Sequence, residues 1–536
     1  MFKINYYSKD NLLIFFLVLA ISTLAITPLF SIIISLLKTF FLNSSLDGKF
    51  LFEYIRNSFD ILFFVIILTS IFGIIPSFLI SFFRFWGVNF FKYALILSLA
   101  IPPYIFGYSL SSFFENYGTA YSLLKFFSPN IGNNLTLNLS AKTMTIISLS
   151  FSLFGYIYLL SMTTFNNQLG DYIEMSKTLG ISKFRMIKSI ILPLSRPAIF
   201  IGISLVAMET LSDFGTASFF GISTLTTGIY NSWFIFDDIQ TSNLLSIVLL
   251  GFILFLFYVE NKFQKKKKFH DSSYKSKKIK PKELKGFYNF LAFFICFLIF
   301  FISFIFPLLQ MIYWSIIHSN YFYNFDLLAL NLNTLFLILT TSSILLTLAF
   351  LCNFGNRLLK NNFLNIISNL SISGYAIPGI LISIAVITIF STISDLLNIE
   401  LKSVLIGSFI GLVFGYFFRF YSIAFNGIKS NYLKINYQID ESGYLLGLSK
   451  VKMFSKVHFP ILKRNTFFIF ILISLEIIKE LPITLILRPF NFETFSTKAF
   501  EYASQDLIEA AALPSLFLVL WTTILILFSS KYFLKK

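Results

Sequence analysis

Long apolar runs separated by short polar segments cover most of this 536-residue chain. A helix needs about 20 apolar residues to cross the core of a bilayer, and the chain contains twelve runs of that kind. They lie near residues 12–37, 59–83, 92–113, 142–164, 197–213, 242–259, 287–316, 334–354, 364–390, 403–425, 465–482 and 511–533. This pattern predicts an all-α polytopic membrane protein with about 12 transmembrane helices.

The loops between these runs differ in positive charge. Residues 177–196 and 450–464 each carry five Lys or Arg, whereas residues 214–241 and 317–333 carry none. Because Lys-rich and Arg-rich loops stay in the cytoplasm, the first two segments are predicted to be cytoplasmic and the other two external. An even number of spans then places both termini in the cytoplasm.

The composition supports a membrane protein and excludes other classes. Hydrophobic residues make up 56% of the chain and charged residues 12%, and the mean hydropathy is +0.79. These values exclude a soluble enzyme, a disordered chain and a secreted disulfide scaffold. Two cysteines and three scattered histidines offer no spacing typical of a metal site or a catalytic triad.

A 20-residue motif occurs once in each half of the chain. It reads EMSKTLGISKFRMIKSIILP at 174–193 and ESGYLLGLSKVKMFSKVHFP at 441–460, an offset of 267 residues. Two six-helix halves in the same orientation are predicted, which gives parallel repeats about an axis along the membrane normal. The substrate path is then expected at the interface of the two repeats.

The net charge of +17 is concentrated between these repeats. Residues 260–286 hold eleven of the 42 Lys and Arg residues, and such a segment beside a membrane attracts anionic lipid rather than nucleic acid. The predicted organisation is therefore a first transmembrane repeat over 1–261, a basic cytoplasmic linker over 262–286 and a second transmembrane repeat over 287–536.

Each copy of the motif predicts a helix–turn–helix. In the first copy, Glu174 is expected near the N-terminus of a short helix, where a carboxylate is favourable. Gly180 ends that helix because glycine tolerates the left-handed cap, and Pro193 breaks the following basic helix before the next span. The same three roles are expected in the second copy for Glu441, Gly447 and Pro460.

Both copies resemble the EAA loop of ABC importer permeases, through which that family contacts its ATP-hydrolysing subunits. The two alanines of the family are replaced by Met175-Ser176 and by Ser442-Gly443. Residues 208–234 and 479–504 further resemble ferric iron permeases. The resemblance implies a fused, type I importer permease in the bacterial inner membrane. Its implied partners are two copies of a cytosolic ABC ATPase subunit and a periplasmic substrate-binding protein that delivers ferric iron.

The chain lacks a nucleotide-binding motif of its own. A P-loop needs Gly-Lys-Ser/Thr after its first glycine, and the single Gly-Lys pair, at 48–49, is followed by Phe50. We therefore expect no enzymatic activity and no cofactor on this chain, with ATP bound by the partner subunit. Thiamine or another cation stays open as the cargo, and an ion-coupled secondary transporter is the alternative class.

Four acidic residues continue the register of the repeat into the membrane. They are Glu209 and Asp213 in the first half, and Glu476 and Glu480 in the second. A spacing of four places each pair on one helix face, and charges at this depth are expected to face a wet interior. We predict that they line the translocation pathway and favour a cation; the alternative, a packing role through hydrogen bonds, stays open.

Three further features fall within or beside the predicted spans. Pro102-Pro103 and Pro378-Gly379 occupy similar places in the third and ninth spans, where they predict a loosened helix or a packing kink. Arg419 is expected to snorkel to the cytoplasmic surface. Tyr230 and Tyr502 are external tyrosines of an interface belt or, in the alternative, ligands for iron.

Overall fold

The computed structural model describes residues 9–41, 48–115, 118–127, 139–168, 170–265, 281–318, 326–397 and 405–533, and nearly all of them are helical. The helices of the first half are α1 (Lys9–Phe41), α2 (Gly48–Phe82), α3 (Val88–Ala94), α4 (Pro103–Phe114), α5 (Thr119–Phe127), α6 (Ala141–Gln168), α7 (Gly170–Thr178), α8 (Lys183–Met186), α9 (Leu192–Ser212), α10 (Gly215–Phe219), α11 (Leu225–Tyr230) and α12 (Ile239–Lys265). Those of the second half are α13 (Phe287–Phe300), α14 (Phe306–Ile317), α15 (Leu327–Leu359), α16 (Asn362–Leu370), α17 (Gly379–Leu397), α18 (Phe409–Tyr432), α19 (Tyr437–Leu445), α20 (Lys450–Met453), α21 (Phe459–Lys479), α22 (Pro482–Leu487), α23 (Phe495–Ser504) and α24 (Ile508–Phe533).

The predicted all-α membrane fold is confirmed. Within the described ranges, ten helices are long and apolar enough to cross a membrane, and a bent pair over Val88–Ala100 and Pro103–Phe126 brings the number to eleven. Helix α21 accounts for the remaining predicted span. Its 21 residues are long enough to cross the bilayer core at about 1.5 Å per residue, but they include four charged side chains.

The third and ninth predicted spans are broken at their prolines. Ile101 and Ile377 are extended, and each follows a 3₁₀ turn, Leu95–Ala100 or Ser371–Ala376. A proline disfavours the helical conformation of the residue before it, so α4 and α17 begin only after the break. The breaks fall where Pro102-Pro103 and Pro378-Gly379 predicted a loosened helix or a kink, so the runs near 92–113 and 364–390 are each interrupted.

Pro193 and Pro460 do not break their helices, contrary to the prediction. In each case a five-residue π-helix, Ile187–Ile191 or Phe454–His458, precedes the proline, and the helix then continues as α9 or α21. A proline lacks the N–H for the usual i→i−4 bond and its ring crowds that carbonyl. The wider π turn accommodates both effects, so the segment before the proline and the span form one continuous rod.

The described helices pack into two compact units that do not coincide with the sequence halves. The first-half unit comprises residues 45–325 and 498–530, and the second-half unit comprises residues 1–44, 326–497 and 531–536, as far as they are described. The first-half unit contains α13, the first helix of the second half, and the second-half unit contains α1, the first helix of the first half. In the second-half unit, α1 packs on α15 to α17, and Ser22 Oγ lies 3.0 Å from Ser368 Oγ. The repeat boundaries at 1–261 and 287–536 remain a prediction about sequence relationship.

Both ends of the predicted linker have regular structure. Helix α12 extends to Lys265, and strand β2 (Lys282–Glu283) pairs in parallel with β1 (Phe83–Arg84) inside the first-half unit. The Leu284 N–H donates to the Arg84 carbonyl at 3.0 Å. The linker between these ends, 266–280, lies outside the described residues.

Candidate functional site

The two predicted helix–turn–helix elements are present with the same geometry. We call α7 with α8 the first docking element and α19 with α20 the second docking element. The turns contain Gly180 at φ 66° and Gly447 at φ 72°, the left-handed conformation that favours glycine. The Ile181 N–H donates to the Ser176 carbonyl at 3.0 Å, and the Leu448 N–H donates to the Gly443 carbonyl at 3.1 Å.

Glu174 and Glu441 lie farther along their helices than the motif predicts. Each is the fifth residue of its helix, α7 or α19, and each is exposed. The first turn of α19 contains Asp440 instead. A favourable interaction with the helix dipole is confined to that first turn, so the predicted dipole role does not apply to the two glutamates.

The two replaced alanines affect packing differently. Ser176 is buried, and a Cβ on Gly443 would come within 2.8 Å of the Met453 sulfur, so small residues are required at these two positions. Met175 is 63% exposed, so its larger side chain does not have to fit into the interior. The departure of Met175 from the family pattern therefore leaves the packing of the docking element intact.

Each docking element exposes apolar side chains at its turn and at the start of its second helix. Leu179 and Leu446 occupy equivalent positions and are 75% and 81% exposed. Phe184 lies in the first element where Val451 lies in the second, and both are 77% exposed. Exposed apolar side chains at equivalent positions are typical of a surface that binds another protein.

A buried charge cluster holds the second docking element against α15. Arg357 Nε donates to Asp440 Oδ2 at 2.7 Å, and His458 Nε2 donates to the other carboxylate oxygen at 2.7 Å. The Arg357 guanidinium also donates to the carbonyls of Tyr432, Ile435 and Asn436, at 3.0 to 3.2 Å. Sequence analysis missed this cluster, although Asp440 and His458 lie in or beside the repeated motif.

Apolar contacts pack the rod that follows the first docking element. Ile191, in the π-helix before Pro193, occupies the position equivalent to His458, and it forms a buried cluster with Phe165 against Phe78 and Phe82 of α2. A hydrophobic contact therefore occupies the place where the other half has His458 in an ionic cluster.

Asp440 gives the second element a pH-dependent stability. Burial raises the pKa of its carboxyl, but the hydrogen bonds and positive charge from His458 and Arg357 outweigh this effect and hold the pKa below the ordinary value of 3.8. A depressed pKa in the folded state means that stabilisation is present above the unfolded pKa and is lost as the pH falls through the folded pKa. The contribution is thus complete at neutral pH and disappears only under strongly acidic conditions.

We expect Asp440→Asn to destabilise the second docking element by about 3 kcal/mol, because Arg357 loses its buried counter-charge. Limited proteolysis of the purified protein between residues 433 and 449 measures this loss. Glu441→Gln, an exposed change one residue away, is the matched control. Equal cleavage of the two variants would show that the cluster does not hold the element.

The far ends of α9 and α21 contain the two outer acids of the predicted pathway. Each helix ends one residue earlier, at Ser212 or Lys479, so Asp213 and Glu480 are extended cap residues. The predicted placement of each acidic pair on one helix face is therefore wrong for its second member. Asp213 instead accepts hydrogen bonds from the Thr216 hydroxyl at 2.9 Å and from the Ala217 N–H at 3.1 Å.

The same hydrogen bonds surround both acids, in support of the internal repeat. The Thr226 hydroxyl donates to the Asp213 carbonyl at 2.6 Å, and the Ser496 hydroxyl donates to the Glu480 carbonyl at 3.1 Å. Two further hydrogen bonds recur in the loops that follow the acids. The Asn57 side chain of α2 donates to the Ser223 carbonyl, and the Asn333 side chain of α15 donates to the Glu493 carbonyl. Likewise, the Leu225 N–H donates to the Ser58 hydroxyl, and the Phe495 N–H donates to the Thr334 hydroxyl.

In the second half, an arginine forms an ion pair with the outer acid, Glu480. Arg419 Nη1 lies 3.0 Å from Glu480 Oε1, and the two side chains are only 8% and 6% exposed. Arg419 therefore does not snorkel, contrary to the prediction. A Cβ on Gly379 would come within 2.5 Å of both groups, so the glycine after the α17 break makes room for the pair.

Ion pairs compensate the two acids of the second half. Besides the Arg419–Glu480 pair, Lys479 Nζ lies 3.7 Å from Glu476 Oε1. All four acids were predicted to favour a cation, and the ion pairs of Glu476 and Glu480 reduce the negative charge that the second half can offer. Tyr230 and Tyr502 are half-buried, and no cluster of three or more metal-ligating side chains occurs among the described residues.

Known transport proteins match this chain in part or over most of its length. Residues 70–267 match the family model described as the binding-protein-dependent transport system inner membrane component. The chain is 24% identical to the Fe(3+)-transport system permease protein FbpB 2 of Haemophilus influenzae, with 86% of each chain covered. It is 23% identical to a probable sulfate transport system permease protein, cysT, of Chlorella vulgaris, over 36% of this chain and 70% of that protein.

These relatives are transport permeases and not enzymes. The predicted resemblance to ABC permeases, and to ferric iron permeases among them, is confirmed. The chain is thus a multi-pass membrane protein that resembles ABC permeases: residues 70–267 match the model of binding-protein-dependent inner membrane components, and 86% of its length is similar to a ferric iron permease.

Proposed function

We propose that this chain is the permease subunit of an ATP-driven importer for ferric iron in the bacterial inner membrane, with both termini in the cytoplasm. A periplasmic binding protein delivers the iron, and two copies of a cytosolic ATPase hydrolyse ATP, one on each docking element. The chain itself holds no cofactor. Similarity to an iron permease over most of the length supports this cargo; the sulfate permease matches a shorter part of the chain.

The paired docking elements carry the proposal. Both elements have a left-handed glycine turn and an exposed apolar face, and both continue into a span, α9 or α21, without a break at the proline. A displacement of either docking element is therefore transmitted along a continuous helix to Asp213 or Glu480. Glu174, Gly180 and Pro193 contribute to coupling in the first half, and Glu441, Gly447 and Pro460 do so in the second.

We further propose that the acids at the far ends of α9 and α21 belong to the translocation pathway. In this proposal Glu209 and Asp213 favour a cation over an anion, and the ion pairs of Glu476 and Glu480 reduce the negative charge of the second half. Thiamine or another organic cation fits the same charge pattern and is the second candidate.

The proposal is tested by reconstitution. The permease is co-expressed with the P-loop ATPase encoded nearest to it and purified, and ATP hydrolysis and uptake of radioactive iron are measured in proteoliposomes with the iron-loaded binding protein. We expect stimulated hydrolysis and iron uptake. Stimulation by a thiamine-loaded binding protein alone would assign the other cargo, and uptake driven by an ion gradient without ATP would exclude an ABC importer.

Reversing the charge of either docking glutamate is expected to weaken ATPase binding. Glu174→Lys and Glu441→Lys change exposed side chains in the middle of α7 and α19, so folding is unaffected. An interfacial hydrogen bond to a charged group contributes about 1.5–3 kcal/mol, so the affinity should fall by at least about tenfold. Titration of the ATPase onto the immobilised permease measures the effect. Unchanged affinity of the double variant for the ATPase would show that the glutamates do not contribute to the interface.

A further inference from the structure

A large polar cavity lies next to the second docking element, inside the second-half unit. Its volume of about 610 Å³ is in the range of small-molecule binding sites. Six asparagines line it: Asn353, Asn356, Asn362, Asn365, Asn369 and Asn436. Three cationic side chains contribute to the wall, and none of the described lining residues is acidic.

Two of the three cations are available to a ligand. The Arg357 guanidinium is engaged with Asp440 and with three backbone carbonyls. By contrast, Lys360 Nζ lies 4.5 Å from the centre of the Tyr437 ring, and Lys429 Nζ lies 2.5 Å from Asn369 Oδ1. Among the described carboxylates, none pairs with either lysine. The cavity therefore has an uncompensated positive charge.

Helix α16 presents a row of amide groups to the cavity. Asn362, Asn365 and Asn369 follow the spacing i, i+3 and i+7, which places them on one side of the helix, and all three are exposed. Amide NH₂ groups and lysine ammonium groups are hydrogen-bond donors. Such a set of donors around a positive charge suits the oxygens of a phosphate group.

The other faces of α16 place this cavity at the depth of lipid headgroups. Phe363, Ile366 and Leu370 form an exposed apolar row, at 56%, 61% and 56% exposure, while Leu364 is buried in the unit. A short helix with separate polar and apolar exposed faces lies in the membrane interface, with its apolar side chains among the acyl chains. The asparagine row of the same helix is then next to the headgroups.

We propose that this cavity binds a phosphate group, supplied by the headgroup of an anionic phospholipid. Lys360 and Lys429 provide the charge, and the asparagine amides of α16 orient the phosphate oxygens. Asn436 and Tyr437, at the start of α19, also line the cavity, so the occupant contacts the second docking element directly.

Lipid retention by the full-length protein tests the proposal. The protein is reconstituted in nanodiscs of equal parts phosphatidylcholine and phosphatidylglycerol, released into detergent, and examined by native mass spectrometry. We expect the wild type to retain phosphatidylglycerol selectively. The double variant K360Q/K429Q should bind it about tenfold or more weakly, whereas K360R/K429R, which keeps both charges, should resemble the wild type.

A matched control and a competitor separate the outcomes. K456Q/K463Q removes two exposed lysines of the π-helix and α21 and should retain the lipid. Inorganic phosphate added during release should not displace the lipid; displacement would assign the same site to a free phosphate anion. Equal phosphatidylglycerol retention by K360Q/K429Q and the wild type, or equal retention of phosphatidylcholine, would overturn the proposal.

Discussion

Replacing Glu480 with glutamine should destabilise the protein by about 3–5 kcal/mol, because the buried Arg419 guanidinium loses its carboxylate at 3.0 Å. The expected effect is larger than that of Asp213→Asn at the equivalent position. Asp213 accepts hydrogen bonds from the uncharged Thr216 hydroxyl and Ala217 N–H, and asparagine keeps one acceptor oxygen. We therefore expect Asp213→Asn to lose one hydrogen bond to a carboxylate, which contributes about 1.5–3 kcal/mol. Thermal unfolding of the detergent-purified variants measures both changes.

The double variant Arg419→Met, Glu480→Gln distinguishes the ion pair from a general effect of the position. Removing both charges eliminates the unpaired guanidinium, so the double variant should be more stable than Glu480→Gln alone. Comparable unfolding temperatures for Glu480→Gln and Asp213→Asn would contradict the assignment of a strong buried pair. Iron uptake by Asp213→Asn should nevertheless fall, since Asp213 is proposed to line the translocation pathway.

Gly447→Pro and Gly180→Pro should each abolish coupling to the ATPase while leaving the protein inserted in the membrane. Both glycines have positive φ angles, whereas proline requires φ near −65°. The Gly447 N–H also donates to the Tyr444 carbonyl at 3.0 Å, and proline would remove that bond. A local cost of about 3 kcal/mol is enough to reorganise the turn and to reduce binding-protein-stimulated hydrolysis by at least about tenfold.

Gly221→Pro is the matched control for the backbone strain that proline introduces at a glycine with a positive φ angle. Gly221 has φ 65°, has no atom within 4 Å of a built Cβ, and donates its N–H to the Ser218 carbonyl at 3.1 Å. It lies between α10 and α11, outside both docking elements. We expect Gly221→Pro to co-purify with the ATPase at the wild-type ratio and the two docking variants to lose it. Normal hydrolysis and ATPase binding in Gly447→Pro would refute the docking role of the turn.

The sequence by itself determined the elements whose causes are local. The apolar runs predicted the spans because the need to satisfy backbone hydrogen bonds in lipid leaves a helix as the stable form. The glycines of the repeated motif predicted the two turns because few other residues adopt a positive φ. The proline positions indicated where the third and ninth spans are interrupted, although the break at Ile377 removes more of the ninth span than the hydropathy pattern predicts.

The tertiary structure alone decided which distant groups meet. Arg419 and Glu480 are 61 residues apart, and Arg357 and Asp440 are 83 apart, so no local pattern predicts either pair. The packing of α1 with the second-half unit could not be predicted from the sequence either. In a membrane, lipid-facing and helix-facing side chains are both apolar, so composition does not distinguish them. Local periodicity determines where a helix forms, whereas the partners of its buried charges depend on how the chain returns to them in space.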